Sequence, residues 1–292
     1  MDKVLVLGAD GFLGKRLLSM ESASVLLQGT SREVKENRSV FFFDAEDIKS
    51  IYTLLKNIKP KIVINCIGYT NVDLCEKNSG YAKNINAIFP AELALVTNEM
   101  GIKLVHISTD HYRSKDDKPR TESTEVWAAN VYGKTKIEAE EQVKRVNESA
   151  LIIRTNFIGY ESNGGNMKLL AIIKNSLETK TGFTGFSDVY FSPVSIRELI
   201  DAVFNLIAIN ASGIVNIASN EVISKFEFAK LVARCLHIPE SKILPTSISK
   251  SSLTTSRPNY LALDNSLYKK MVNLNIKDID AMIMDELRLY PR

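Results

Sequence analysis

Short, almost continuous apolar runs alternate with amphipathic stretches along the first part of the chain. Val4–Leu7, Ser24–Gly29, Val40–Phe43, Lys61–Ile67, Lys103–Ser108 and Ala150–Thr155 are rich in Val, Ile, Leu and Phe. Runs of this length, with little alternation, predict parallel strands buried on both faces. Between them, Leu13–Met20, Asp47–Asn57, Tyr81–Met100 and Val131–Val146 carry apolar residues at helical spacing. Strand–helix alternation predicts βαβ units. The fold class is therefore α/β: a Rossmann-type, doubly wound parallel sheet, with the carboxyl ends of its strands along one ligand-binding edge.

The rhythm changes after Gly159. Glu161 to Asn166 has a loop composition, and shorter elements follow: a helix at Ile196–Ile209, a strand at Gly213–Ala218 and a helix at Phe226–Leu236. This predicts a dinucleotide-binding domain over 1–158 and, over 159–292, mainly a smaller substrate-binding lobe with some segments returning to the first domain. A chain of 292 residues with 45% hydrophobic residues can build both.

Charge and cysteine content narrow the partners. Lys plus Arg number 37 and Asp plus Glu 34, a net of +3. That balance argues against nucleic acid or an anionic membrane. No apolar run approaches the ~20 residues that span a bilayer, and the N-terminal stretch lacks a secretory pattern. Cys66, Cys75 and Cys235 are odd in number and form no CxxC pair. They fit a reducing, cytoplasmic setting rather than a disulfide framework. No His/Cys/Asp cluster has zinc-ligand spacing, so no metal is expected.

The first strand runs into Gly8-Ala-Asp-Gly11-Phe-Leu-Gly14, which opens a helix. Glycines at this spacing permit a tight turn, let the backbone approach a pyrophosphate and allow close helix–strand packing. Gly8, Gly11, Phe12, Leu13 and Gly14 are thus candidate cofactor contacts. The second strand ends in Thr30-Ser31-Arg32, without the acid that would bond the ribose hydroxyl of NAD. Ser31 and Arg32 suit a 2′-phosphate instead, so the expected cofactor is NADPH, with NADH the alternative. Asp44 after the third strand, and Cys66, Ile67 and Gly68 at the end of the fourth, complete the candidate cradle by position.

Tyr132-Gly-Lys-Thr-Lys136 places a phenol and an ammonium four residues apart, on one helix face. Hydride delivery to a carbonyl carbon creates an alkoxide that must be protonated. A phenol, with a reference pKa of ~10, does this near neutrality only if a nearby cation stabilises its phenolate. Thr109, at a predicted strand end, can donate to the developing oxyanion. Thr109, Tyr132 and Lys136 are the candidate catalytic groups, and Lys136 also a cofactor contact.

The glycine turn, Ser108-Thr109-Asp110 and the Tyr132/Lys136 pair resemble the extended short-chain dehydrogenase/reductase superfamily. Tyr69-Thr-Asn-Val-Asp73-Leu-Cys-Glu76, Asn86, Arg154-Thr155, Ser192-Pro193-Val194 and Arg257-Pro258 leading to Leu263-Asp264 resemble its dTDP-4-dehydrorhamnose reductase family. The resemblance covers nearly the whole chain. It implies NAD(P)H-dependent reduction of the keto group of a nucleotide-linked sugar, a dTDP-4-keto-6-deoxy sugar in that family, in surface polysaccharide or deoxysugar synthesis. It implies Thr109, Tyr132 and Lys136 as the catalytic trio, and Asn156, Asn166 and Arg257 as substrate contacts. Tyr69 and His111 are further substrate-side candidates by position, and superfamily members are often homodimers. The chain departs from the family pattern at His111-Tyr112-Arg113, at Asn156-Phe157 and at Trp127-Ala-Ala-Asn130, all on the substrate side.

Two rival functions stay open. A nucleotide-sugar dehydratase or epimerase could use the same scaffold, although Asp110-His111 lacks the Asp-Glu pair that a 4,6-dehydratase carries. A non-catalytic NADP-binding subunit, similar to the regulatory subunit of methionine adenosyltransferase, would keep the fold while supporting a partner enzyme. His106 and His237 read as ordinary core or surface histidines. Asp73 and Glu76 read as acids serving a helix start.

Overall fold

The computed structural model describes residues 1–20, 24–33, 39–159, 169–179 and 181–289. Seven strands form one sheet in the order Gly213–Ile217, β6, β5, β4, β1, β2, β3. Here β1 is Asp2–Leu7, β2 Val25–Ser31, β3 Val40–Phe42, β4 Ile62–Asn65, β5 Lys103–Ile107 and β6 Leu151–Thr155. The registers along β3–β2–β1–β4–β5–β6 are all parallel. The predicted Rossmann-type α/β fold is thus observed, and the order turns back on itself at β1, where ligands bind in such sheets. Val4, Leu5, Val6 and Leu7 are all fully buried, as the unbroken apolar run of a two-faced strand requires.

The helices α1 (Phe12–Leu18), α2 (Ser50–Ile58), α3 (Val72–Lys77), α4 (Ser79–Lys83), α5 (Phe89–Glu99) and α6 (Val131–Val146) follow their strands. Ile51, Leu55 and Ile58 of α2 face one core with Leu5, Val63, Phe89 and Leu104. The long helix expected over Tyr81–Met100 is instead interrupted. A π-helical turn at Asn84–Ile88 separates α4 from α5. Such turns commonly mark functional positions, and this one buries Asn86.

Two compact units share the chain. The first comprises residues 1–109, 127–154 and 210–215; the second comprises 110–126, 155–209 and 216–292. The return of 210–215 to the first unit is an exchange of the kind expected, whereas residues 110–126 join the second unit from within the span given to the first domain. The strand Gly213–Ile217, expected in the smaller lobe, is an edge strand of the main sheet. Gly213 N–H donates to Ala150 O at 2.8 Å, which starts that pairing, and Val215 and Ile217 are fully buried. In the second unit, two-residue and four-residue strands pair as Phe157–Ile158 with Val194–Ser195, Tyr190–Phe191 with Ile223–Ser224, and Phe183–Phe186 with Ile243–Thr246. Phe191 and Phe228 meet edge-on there, ring centres 5.4 Å apart. Among the described residues, no helix is long and apolar enough to cross a membrane.

The turn from β1 into α1 is fixed by close packing. Gly8 has φ +85°, a conformation that a side chain strains. A Cβ at Gly14 would run into the Gly8 carbonyl and stand 2.9 Å from Ala9 Cα, both backbone atoms. Gly14→Ala should therefore cost about 2–3 kcal/mol of stability, read as a lower denaturant midpoint with an unchanged slope. A wild-type midpoint would mean that the turn relaxes freely.

Candidate active site

The glycine turn is pinned to β2 as well as to its own helix. Gly8 N–H donates to the Thr30 hydroxyl at 3.2 Å and Ala9 N–H to Thr30 O at 2.8 Å. A cavity of about 280 Å³ opens beside it. It is lined by Gly8 and Gly11 of the turn, by Ser31 and Arg32 at the end of β2, by Asp44 after β3, and by Cys66, Ile67 and Gly68 after β4. Eight of the predicted cofactor residues thus share one cavity. Phe12, Leu13, Gly14 and Lys136 lie outside its lining; Leu13 and Gly14 are buried in the helix–strand packing. The cradle fits a dinucleotide: its backbone is bare where a pyrophosphate must approach, and a guanidinium stands at the β2 end.

Tyr69 also lines this cavity, together with Tyr81, which the sequence reading did not single out. The two rings meet edge-on at 4.9 Å. Asn86 of the π-turn holds Tyr69 on both sides of its backbone. It accepts from Tyr69 N–H at 2.8 Å, and its amide donates to Tyr69 O at 2.9 Å and to the Thr135 hydroxyl at 3.2 Å. That buried amide ties the loop after β4 to α6. Burial pushes the Cys66 thiol up to about 12, so it acts as a small apolar residue rather than a nucleophile.

The predicted trio lies in the first unit. Thr109 follows β5, while Tyr132 and Lys136 share one face of α6; all three are nearly buried. Two side chains cap α6. Asn130 accepts from Gly133 N–H at 2.9 Å, and Glu76 accepts from Val131 N–H at 2.7 Å. Glu76 thus serves the start of α6, a helix distant from it in sequence. Tyr132 packs in a small cluster with Val72, Cys75 and Ala82, against which Tyr69 also rests.

Lys136 is the most constrained group of the three. It is 3% exposed, and its amine donates to Ile107 O at 2.8 Å. Burial lowers its pKa to about 8, with Glu140 pulling the other way. Glu140, one turn further on, is also buried. It accepts Arg154 Nε at 3.0 Å and Nη2 at 2.6 Å, and the Ser108 hydroxyl at 2.5 Å. Glu140 carries no signal in the sequence. His106, read there as an ordinary core histidine, lies 3.3 Å from the Lys136 amine, because alternate β5 residues face α6.

In the second unit, Asp110 and Asn156 are bonded directly: the Asn156 amide donates to Asp110 Oδ2 at 2.7 Å. Burial raises the Asp110 carboxyl to about 6 against the opposing pull of Asn156, Arg120 and Lys225. Arg120 donates to Asp110 O at 2.9 Å and also to Tyr112 O. His111 is lowered to about 3, first by burial and then by the Arg257, Lys225 and Arg120 cations. Arg257 thus acts electrostatically on His111, as do Arg120 and Lys225, which the sequence does not mark. Asn166 lies outside the described residues. No group of His, Cys, Asp and Glu among the described residues could hold a metal ion.

These features match known proteins along almost the whole chain. Residues 2–288 match the model of the RmlD substrate binding domain family. The spore coat polysaccharide biosynthesis protein SpsK of Bacillus subtilis is 30% identical, over 91% of this chain and 90% of SpsK. The methionine adenosyltransferase 2 subunit beta of Xenopus laevis is 25% identical over 92% of this chain and 82% of that protein. The crystal structure of dTDP-4-dehydrorhamnose reductase from Bacillus anthracis in complex with NADP superposes with a TM-score of 0.87. It is 24% identical and covers 98% of this chain and 97% of that one. Fold and family together define an NAD(P)-dependent oxidoreductase of the extended short-chain type. Within that class, the chain belongs to the RmlD substrate binding domain family.

The Asp110 carboxyl has a stability signature. Its folded pKa, about 6, exceeds the ordinary 3.8, so the folded state binds more protons between those values. Its contribution is fully present below pH 3.8 and is lost as pH rises through about 6. Asp110→Asn should raise stability at neutral and alkaline pH by up to about 3 kcal/mol, with the gain vanishing towards pH 4. Denaturant midpoints of both proteins across that range check this. A constant difference would show that the carboxyl titrates as if exposed.

Proposed function

We propose that this protein reduces the keto group of a nucleotide-activated sugar, taking hydride from NAD(P)H, in polysaccharide or deoxysugar biosynthesis. The observation that carries this is the Tyr132/Lys136 pair on one buried face of a doubly capped helix, its lysine bonded to Ile107 O at the carboxyl end of β5, the strand that Thr109 follows. The preferred substrate is a dTDP-4-keto-6-deoxy sugar. That choice draws on the family and on the reductase whose structure superposes over the whole chain.

The roles follow from the chemistry of each side chain. Gly8 and Gly11 give the cofactor pyrophosphate an unobstructed backbone, with Gly14 holding the helix close enough to serve it. Ser31 and Arg32 meet the 2′-phosphate, so NADPH is preferred over NADH. When bound, the nicotinamide supplies the hydride. Thr109 donates a hydrogen bond to the substrate carbonyl oxygen, and Tyr132 gives its proton to the alkoxide as it forms. Lys136 in its ammonium form stabilises the phenolate left on Tyr132. In the second unit, Arg120, Lys225 and Arg257 surround His111 with positive charge, a setting suited to the diphosphate of a nucleotide sugar.

A second function is favoured by one observation, the similarity to the methionine adenosyltransferase subunit. In that role the protein would bind NADP and a partner enzyme without turnover of its own.

Turnover of a keto sugar by the wild-type protein separates the two, and Tyr132→Phe then tests the role of the phenol. It removes the proton donor while leaving the ring in place, so turnover of an accepted keto sugar should fall by on the order of a hundredfold or more, with NADPH binding retained. Unchanged turnover would remove Tyr132 from the chemistry. Arg32→Ala should weaken NADPH about tenfold while leaving NADH within about twofold, measured as dissociation constants. Equal losses would mean that Arg32 does not contact the phosphate.

A further inference from the structure

His106 is fully buried on β5, and each ring nitrogen has one partner. The Asn65 amide nitrogen lies 3.2 Å from Nδ1, and the Lys136 amine 3.3 Å from Nε2. The Asn65 amide is itself oriented by the backbone, because its oxygen accepts Ile67 N–H at 3.1 Å. An oxygen must face that donor, so the Asn65 NH2 faces Nδ1. Nδ1 must then present a lone pair. A neutral imidazole carries one N–H, which here falls on Nε2 and points at Lys136. Burial and the neighbouring Lys136 hold the His106 ring well below its usual pKa, which keeps it neutral.

The amine has matching needs. One N–H of Lys136 meets Ile107 O. In a neutral amine the lone pair is left to accept the Nε2–H of His106. An ammonium would set N–H against N–H at that contact.

We propose that Asn65 and His106 are a positioning pair: Asn65 fixes the Nε2–H tautomer of His106, and that N–H favours the neutral amine of Lys136 over its ammonium. The pair thereby sets the pH at which Lys136 exchanges its proton. The titratable groups acting on Lys136 are His106 from β5 and, from its own helix, Glu140; Tyr132 lies one turn before it on that helix. Arg154 of β6 lies behind Glu140. Glu140 favours the ammonium, but its charge is matched by Arg154 at 2.6 Å. Burial lowers the amine to about 8, and in this proposal the Nε2–H of His106 works in the same direction.

The consequence for turnover rests on the reductase function proposed above. There Tyr132 gives its O–H proton to the alkoxide and becomes a phenolate. Lys136 then returns one N–H proton to that phenolate, becomes the amine that His106 stabilises, and recovers a proton from water. A lysine at its ordinary 10.5 would hold that proton too tightly at neutral pH.

The test uses the whole protein labelled with 15N-histidine and needs no substrate. The chain has three histidines, and the signals of His111 and His237 are recognised by their loss in His111→Asn and His237→Asn. Long-range proton–nitrogen spectra between about pH 6 and 9 should show His106 neutral throughout, protonated at Nε2 and bare at Nδ1. The opposite tautomer, or a ring that takes up a proton in that range, overturns the proposal. Asn65→Asp replaces the donor at Nδ1 with an acceptor. It should move the ring proton to Nδ1 and raise the Lys136 midpoint by about one pH unit or more, followed by 13Cε-lysine signals assigned through Lys136→Met. An unmoved ring proton or an unchanged midpoint also overturns it. If the Asp variant does not fold, the wild-type tautomer still decides. A failure of the reductase function would show separately, as absent turnover in a protein with the Nε2–H tautomer.

Discussion

A lysine amine is buried against the carboxyl edge of a parallel sheet, and much of the surrounding structure makes that burial tolerable. Taking an isolated ammonium out of water is costly, so such a group is either compensated or neutralised. Both responses are present around Lys136. Glu140 offers a negative charge, itself steadied by bidentate Arg154 and by Ser108. Ile107 O and the His106 ring take up the amine directly. Through helix geometry the same constraint fixes Tyr132, one turn earlier on that face, and Asn130 and Glu76 fix the start of the helix.

The cofactor cradle and this helix are mechanically joined. The loop after β4 contributes Ile67, Gly68 and Tyr69 to the cavity. Asn86 in the π-turn grips the backbone of Tyr69 and also reaches Thr135, next to Lys136 in sequence. One buried amide therefore sets the position of the cavity wall relative to α6, the helix of Tyr132 and Lys136. Asn86 makes these bonds from within the π-turn, a type of turn common at functional positions.

Features built from neighbours in sequence were legible at once. The glycine turn, the apolar strands and the spacing of Tyr132 and Lys136 are all local, and each is where its pattern places it. What stayed hidden is long-range. His106 meets residues 41 and 30 positions away, and in sequence it is only one more residue in an apolar strand. Glu140 looks like a surface acid of an amphipathic helix until β6 supplies Arg154. The pattern predicts that some segments after Gly159 return to the main domain, but not which: only pairing shows that Gly213–Ile217, with buried Val215 and Ile217, belongs to the main sheet. Lys225 and Arg120 carried no motif, and only folding brings them to His111.

The most direct test of the account follows the hydride itself. The protein would be incubated with NADPH carrying deuterium on the transferable face of the nicotinamide and with dTDP-, UDP- and GDP-4-keto sugars, each made in place by a dehydratase. The account predicts that one sugar, a dTDP derivative, gains a single deuterium on C4, detected by mass spectrometry and proton NMR of the product. No deuterium in any sugar, from a protein shown to bind NADPH, would contradict the reductase assignment and move the weight to a cofactor-binding subunit.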